Sequence, residues 1–283
     1  MRIPRSISLQ TKNSFHLIWN MHNGSFLIKD KESKRLYLRC VHDDLMENTE
    51  TKKKPKLSLT KPLSKKQKAE KPKSQKRRKS DKRSTNKHKK TNAGFELHGY
   101  CLMDNHIHSF GTLHSDTKPL SKHLQKAHSR FASKLNRKLG RSGAVGNDRP
   151  KSIPVENYEG QIRLALYVFT NPIRARMAKN PWDISLRHMS SCRVFTHGEK
   201  SEFSSMVVMP QWYLSLGKNA KERQAKFREL LRIYLIENGL MRDPKFSEGL
   251  FIGSEEWGKK IIACAKEYCR HMQKKKLKIP SLE

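Results

Sequence analysis

An α+β domain, an antiparallel sheet with helices on one side, is predicted by three features of the chain. A strand-like run, Phe15-His16-Leu17-Ile18-Trp19, stands near its start. Two further strand-like runs flank the dipeptide Asp104-Asn105, and stretches of helical periodicity follow each of these parts. Strands and helices in the order strand, helix, hairpin, helix, helix suit a sheet that buries a face beneath helices.

The elements can be justified in order. After Trp19 a turn at His22-Asn23-Gly24 and a short apolar stretch lead into a helix expected over 31–45. Residues 46–92 are rich in Lys, Ser and Pro and nearly devoid of large apolar side chains, so they cannot offset chain entropy by burial and are expected to be a disordered insertion. A domain tolerates such an insertion, because loop closure costs only about 0.6 kcal/mol more per doubling of length. Order is expected to resume at Phe95, with Phe-Glu-Leu-His-Gly-Tyr-Cys-Leu-Met and His-Ile-His-Ser-Phe-Gly-Thr-Leu paired as a hairpin around Asp104-Asn105. Between 119 and 139, Leu120, Leu124, Ala127, Phe131 and Leu135 recur at helical spacing, with Lys126, Arg130, Lys134, Arg137 and Lys138 off that stripe. A Gly-rich loop separates this helix from another over 156–171, which Pro172 is expected to stop, since the residue before a proline disfavours helical geometry. Two helices are expected in the remainder, one carrying Phe227, Leu230, Leu231, Tyr234 and Leu235, the other Trp257, Ile261, Ala265, Tyr268 and Met272. The division is thus a domain over 1–190, interrupted at 46–92, and a small C-terminal helical appendage over 191–283.

Charge narrows the partners. The 60 Lys and Arg against 26 Asp and Glu leave a formal +34, and a surface of that sign binds polyphosphate chains by releasing their counterions. Residues 51–90 hold 19 Lys and Arg against Glu70 and Asp81, half of the excess. The cluster Lys76-Arg77-Arg78-Lys79 reads either as a nuclear-localisation patch or as a solvated tract that clings to DNA. The other half is spread over the rest of the chain, so a basic folded body remains without the tract. The five cysteines are scattered with no Cys-x-x-Cys pair, which fits a reducing compartment, and no apolar run approaches the roughly 18 residues of a membrane span. A cytoplasmic protein, associated with the nucleoid when bound to DNA, is expected.

Two short motifs carry candidate chemistry. His106 and His108 lie two apart in an expected strand, so their side chains leave one face about 6.6 Å apart and could converge on one metal ion. Thirteen histidines in 283 residues give roughly 0.6 such pairs by chance, so the spacing decides nothing alone. Tyr167 and Asn171 are four apart near a helix end, on one face with Gly160 and Arg163, while Ile162, Ala165 and Phe169 lie opposite. Tyr167 is therefore expected off the apolar stripe, where a plain surface tyrosine is the competing reading.

The run His98-Gly-Tyr-Cys-Leu-Met-Asp-Asn-His-Ile-His108 resembles the hairpin of the single-tyrosine transposases of the His-hydrophobe-His superfamily, whose usual wording is Met-Pro-Asn-His-x-His. The run Tyr167-Val-Phe-Thr-Asn-Pro-Ile-Arg-Ala175 resembles that family's helix-end signature, particularly in its REP-associated branch, and the order and spacing of the two motifs agree. The resemblance spans roughly 10–45 and 93–190, with a weaker echo over 249–257. Asp104 stands where proline is usual, Met21 where an arginine is common, and 143–151 lacks the family's aromatic pattern.

The resemblance implies a ferredoxin-like sheet carrying the histidines. It also implies that His106, His108 and Asn171 hold a divalent metal, and that Tyr167 is the nucleophile of a nicking and joining reaction on single-stranded or hairpin DNA. A 5′-phosphotyrosine and a free 3′ hydroxyl would result. The roles are chemically coherent, since a tyrosine with an ordinary pKa near 10 needs help to attack a phosphodiester at neutral pH, and oxygen-rich phosphate chemistry points to Mg2+ or Mn2+. Lys126, Arg130, Lys134 and Arg163 are candidates for contacts to the DNA backbone. Members of the family work as monomers or as homodimers, and a basic binding protein of the same fold without catalysis is the rival expectation.

Overall fold

Every second residue of Ser14–Asn20 points to the same face of a strand, and in this segment both sets are buried, so it lies inside a sheet with cover on each side. The computed structural model of the protein describes residues 5–9, 14–50 and 94–277. The main elements are β1 (Ser14–Asn20), α1 (Lys31–Glu50), β2 (Phe95–Leu102), β3 (His106–Leu113), α2 (Lys118–Lys138), β4 (Lys151–Val155), α3 (Tyr158–Arg174), α4 (Ala220–Asn238) and α5 (Glu255–Leu277). The four strands form an antiparallel sheet in the order β2-β3-β1-β4. With α1 joining β1 to β2 and α2 joining β3 to β4, this is the ferredoxin-like arrangement.

The hairpin closes as expected. The Met103 N–H donates to the His106 carbonyl at 2.8 Å, leaving Asp104 and Asn105 as the two-residue connection. Asp104, in the place of the proline, has a partner: its carboxylate lies 2.6 Å from Nζ of Lys34, a lysine whose side chain is only 2% exposed. Lys34 also donates to the Lys29 carbonyl. A buried ammonium needs such partners, so the pair pins α1 to the loop that launches His106.

The two faces of the sheet differ. Phe15, Leu17 and Trp19 of β1 pack with Tyr37, Leu38 and Val41 of α1 and with Leu120, Leu124 and Phe131 of α2. Ile18, Phe110, Ile153 and Val155 pack with Leu164, Ala165 and Phe169 of α3, and with Phe195, Trp212, Phe227 and Leu231 from the C-terminal region. The two crossover helices share one face, as expected, but α3, expected on that side as well, lies on the other. The second face is also covered, by α3 and the C-terminal helices, because the strands present buried side chains in both directions. The C-terminal helices therefore share a core with the sheet.

Three local expectations are corrected. Residues 46–50 continue α1 to Glu50; the rest of the expected insertion lies outside the described residues. The strand β4, five residues within what reads as a Gly-rich loop, was not expected; its Pro154 lies on the sheet edge, where a missing N–H costs no ladder bond. Pro172 does not stop α3, which runs to Arg174. Packing on both sides outweighs the one helical bond that Pro172 cannot donate, to the Val168 carbonyl.

Removing the Asp104 carboxylate strands a buried ammonium, a kind of loss that costs on the order of 3 kcal/mol. Urea denaturation of Asp104→Ala should show a loss of about that size, and Asp104→Ala together with Lys34→Met should recover most of it. A loss below about 1 kcal/mol in the single variant would contradict the pinning role.

Candidate active site

Strand register decides which side chains meet. His106 pairs with Asn20 and His108 with Ile18 across β3 and β1, which puts both imidazoles on the face toward α3, together with His16. The His106 and His108 rings stand edge to face with centroids 4.8 Å apart. The Tyr167 ring lies edge-on to His108 at 6.0 Å. The hairpin histidines and the helix tyrosine are therefore neighbours, brought together by a 59-residue separation in sequence between His108 and Tyr167 that the fold closes.

Tyr167 is not a surface residue. It is 2% exposed, because α3 is enclosed on both sides and Phe246, from the turn Pro244–Phe246, stacks on its ring at 4.5 Å. The expected off-stripe position holds for the helix alone; the C-terminal region covers that face. The guanidinium of Arg174 lies 4.4 Å from the same ring, an arrangement that favours a cation over aromatic electrons. Arg174 also donates to Oδ1 of Asn171 at 2.9 Å, and Asn171 itself is buried with Nδ2 unpaired. Asn171 thus lies one turn beyond Tyr167, with its oxygen engaged by a cation.

The imidazoles are held in defined ways. His106 Nδ1 lies 2.7 Å from the Asn105 side-chain oxygen, which can only accept, so Nδ1 carries the proton and Nε2 the lone pair. His108 Nδ1 lies 2.9 Å from Nε2 of His16, and Nε2 of His108 is buried without a partner. Burial drives all three rings toward the neutral form. It lowers His16 to about 3, with Lys151 and His106 adding to the effect and the Phe246 backbone opposing it. It lowers His106 to about 4, with Arg242 adding and Asp104 opposing. His108 is pushed down by burial first and then by His106, His16, Arg174 and Arg242.

The donor set bears directly on the expected metal. Among the described residues no group of three or more His, Cys, Asp and Glu is arranged to hold an ion. Two neutral imidazoles, with Nε2 bare on His106 and unpartnered on His108, fit a cation that takes its other ligands from oxygen. Asn171 fits that role only through the second lone pair of an oxygen already bonded to Arg174.

The four basic candidates divide. Lys126, Arg130 and Lys134 lie on α2, in the helical layer across the sheet from Tyr167. Lys126 faces Asp44 at 3.6 Å, and Arg130 makes two 2.9 Å bonds to Glu47. Arg163 is on the tyrosine helix but is exposed and paired with Glu159. Sequence reasoning missed His16, Arg174, Arg242 and Phe246 as parts of the site. His16 had a faint signal, a polar residue inside an apolar strand; Phe246 had none.

No protein-family model matches this chain, and no curated protein sequence does. A solved structure of a REP-associated tyrosine transposase bound to a REP hairpin is similar over 71% of this chain and 95% of that one, at 12% identity and a TM-score of 0.39. No described helix is long and apolar enough to cross a membrane.

Because folding holds the pKa of His16 and His106 below the unfolded 6.5, the native state binds fewer protons than the unfolded chain in acid. Their contribution is complete above about pH 6.5 and is lost as pH falls toward the folded values, at up to about 1.4 kcal/mol per unit and group. Urea titrations of the metal-free protein between pH 7.5 and 5 should show falling stability, with a shallower slope in His16→Gln. A slope unchanged by that substitution would contradict the buried, neutral assignment.

Proposed function

We propose that the protein nicks and rejoins single-stranded or hairpin DNA, with Tyr167 as nucleophile and His106 and His108 as metal ligands. The observation that carries this reading is the meeting of the paired imidazoles with the phenol, His108 to Tyr167 at 6.0 Å, at the two motifs that resemble the single-tyrosine transposases. The Tyr167 oxygen attacks a backbone phosphorus and gives up its proton; the bond from phosphorus to the 3′ oxygen breaks, and that oxygen leaves as a hydroxyl. The phosphodiester bond energy is kept in the phosphotyrosine, so attack by a 3′ hydroxyl reverses the step and joins strands without ATP. A divalent ion, Mg2+ or Mn2+, held by His106 and His108 and by Asn171 through its remaining lone pair, would stabilise charge on the phosphate and on the departing oxygen.

The chain's own groups supply the rest. Asn105 and His16 orient the two rings. Arg174, over the Tyr167 ring, and Arg242, whose charge is felt by His106, place positive charge where a phosphate must arrive. The phenol is covered by Phe246, so DNA reaches it when that ring is displaced. Arg163, on the same helix, is proposed to meet the DNA backbone near the site, and Lys126, Arg130 and Lys134 to meet flanking DNA from the opposite layer.

A second reading, a basic nucleic-acid-binding protein of this fold without catalysis, is favoured by two observations: the Asn171 oxygen is bonded to Arg174, and Tyr167 is enclosed. The two readings separate when the protein is incubated with Mn2+ and a hairpin oligonucleotide carrying a 5′ extension, and covalent adducts are resolved on a denaturing gel. The catalytic reading expects an adduct that Tyr167→Phe abolishes and that His106→Ala and His108→Ala reduce at least about a hundredfold. Salt-sensitive binding with no adduct under any divalent ion would leave the binding reading standing.

A further inference from the structure

His16 belongs to neither motif, yet it makes the one side-chain hydrogen bond that His108 has among the described residues, at 2.9 Å and in full burial. The two rings are also nearly parallel, with centroids 5.1 Å apart and planes 20° from each other. Between two neutral imidazoles that bond contains one proton, and its owner fixes both tautomers. If His16 donated from Nε2, His108 would carry its proton on Nε2 and present no lone pair there, while His16 Nδ1 would be a bare acceptor. If His108 donates from Nδ1, its Nε2 keeps the lone pair, and the proton of His16 moves to Nδ1.

The surroundings discriminate between these states. The two nitrogens outside the shared bond, His16 Nδ1 and His108 Nε2, are both buried without a partner, so the states differ in which of the two carries a proton. The His108 ring stands 4.8 Å from that of His106, whose Nε2 is bare, so a lone pair on His108 Nε2 is the state that lets one cation engage both rings. His106 follows the same plan two register positions away, its Nδ1 donating to Asn105 and its Nε2 left bare.

We propose that His16 is a positioning residue, which accepts the Nδ1 proton of His108 and so keeps the Nε2 lone pair of His108 free for a divalent cation. The proposal rests on the metal reading above for its purpose, but not for its geometry. It deepens that reading by assigning β1 a part in the site that neither the hairpin nor the tyrosine helix supplies, and by coupling the site through Phe246 to the C-terminal region. An imidazole that donates to a fixed acceptor is a better and better-aimed ligand, and losing such an outer partner commonly costs ten- to hundredfold in metal affinity.

The test uses the full-length chain, metal-free, with 15N-labelled histidine. Long-range 1H–15N spectra at pH 7.5 read the tautomer of each buried ring, and electron paramagnetic resonance counts free Mn2+ during titration. In the wild-type protein His108 should carry its proton on Nδ1. In His16→Leu it should lose that preference, and Mn2+ affinity should fall about ten- to hundredfold. His16→Gln, whose side-chain oxygen can accept the same proton, should restore both to within about threefold in affinity, which a merely space-filling role for His16 does not predict. A wild-type His108 protonated on Nε2 overturns the proposal, and that measurement needs no variant to fold. Unchanged tautomer and Mn2+ affinity in His16→Leu overturn it equally. Absence of Mn2+ binding by the wild-type chain would overturn the metal reading alone, with the tautomer still deciding what His16 does.

Discussion

Polar side chains enclosed between a sheet and a helix must find partners among themselves, because each unpaired group costs a few kcal/mol. In this protein the constraint falls on His16, His106, His108, Asn171 and Arg174, which line the space where β1, β3 and α3 meet beneath Phe246. Most of their hydrogen-bonding capacity is met internally: His108 by His16, His106 by Asn105, the Asn171 oxygen by Arg174. What is left over is informative. His16 Nδ1, His108 Nε2 and Asn171 Nδ2 stay buried and unpaired, two on the strands and one on the helix. Unsatisfied groups inside a natural fold commonly mark a place where a ligand completes the network.

The rest of the architecture serves that enclosure. The ferredoxin-like sheet puts β1 and β3 side by side in its centre, so a histidine from each can face the same helix. The Lys34–Asp104 pair ties the hairpin turn to α1 just before His106. The C-terminal helices cover α3 and bring the Phe246 turn over Tyr167, so the nucleophile candidate is shielded from water as well as from DNA. Positive charge near the site comes from Arg174 and Arg242. Of the basic residues that the sequence singles out on α2 and α3, Lys126 faces the buried Asp44, while Arg130–Glu47 and Arg163–Glu159 are exposed pairs of a kind that contributes little to stability.

The sequence made the hairpin legible because alternation, a two-residue turn and the His-x-His spacing all lie within one short window. Tyr167 and Asn171 were legible as a pair, since four-residue spacing on a helix is also local, but their surroundings were not. The burial of Tyr167 depends on Phe246, 79 positions later, and no periodicity spans that distance. His16 lay hidden for a related reason: its partner is set by the register between β1 and β3, which a single chain does not announce. The end of α3 was misjudged through the helix-stopping rule for proline, which a helix packed on both sides overrides. The two-sided cover of the sheet followed from the same limit, since both faces of β1 are apolar enough to read as one short buried run.

The proposed function requires His106 and His108 to hold one cation beside the Tyr167 phenol. Anomalous diffraction from crystals of the protein soaked in Mn2+ should then show one strong peak within bonding distance of Nε2 of both His106 and His108, with the Tyr167 ring beside it. A fully occupied crystal with no peak there, or with manganese bound only at surface carboxylates, would contradict it.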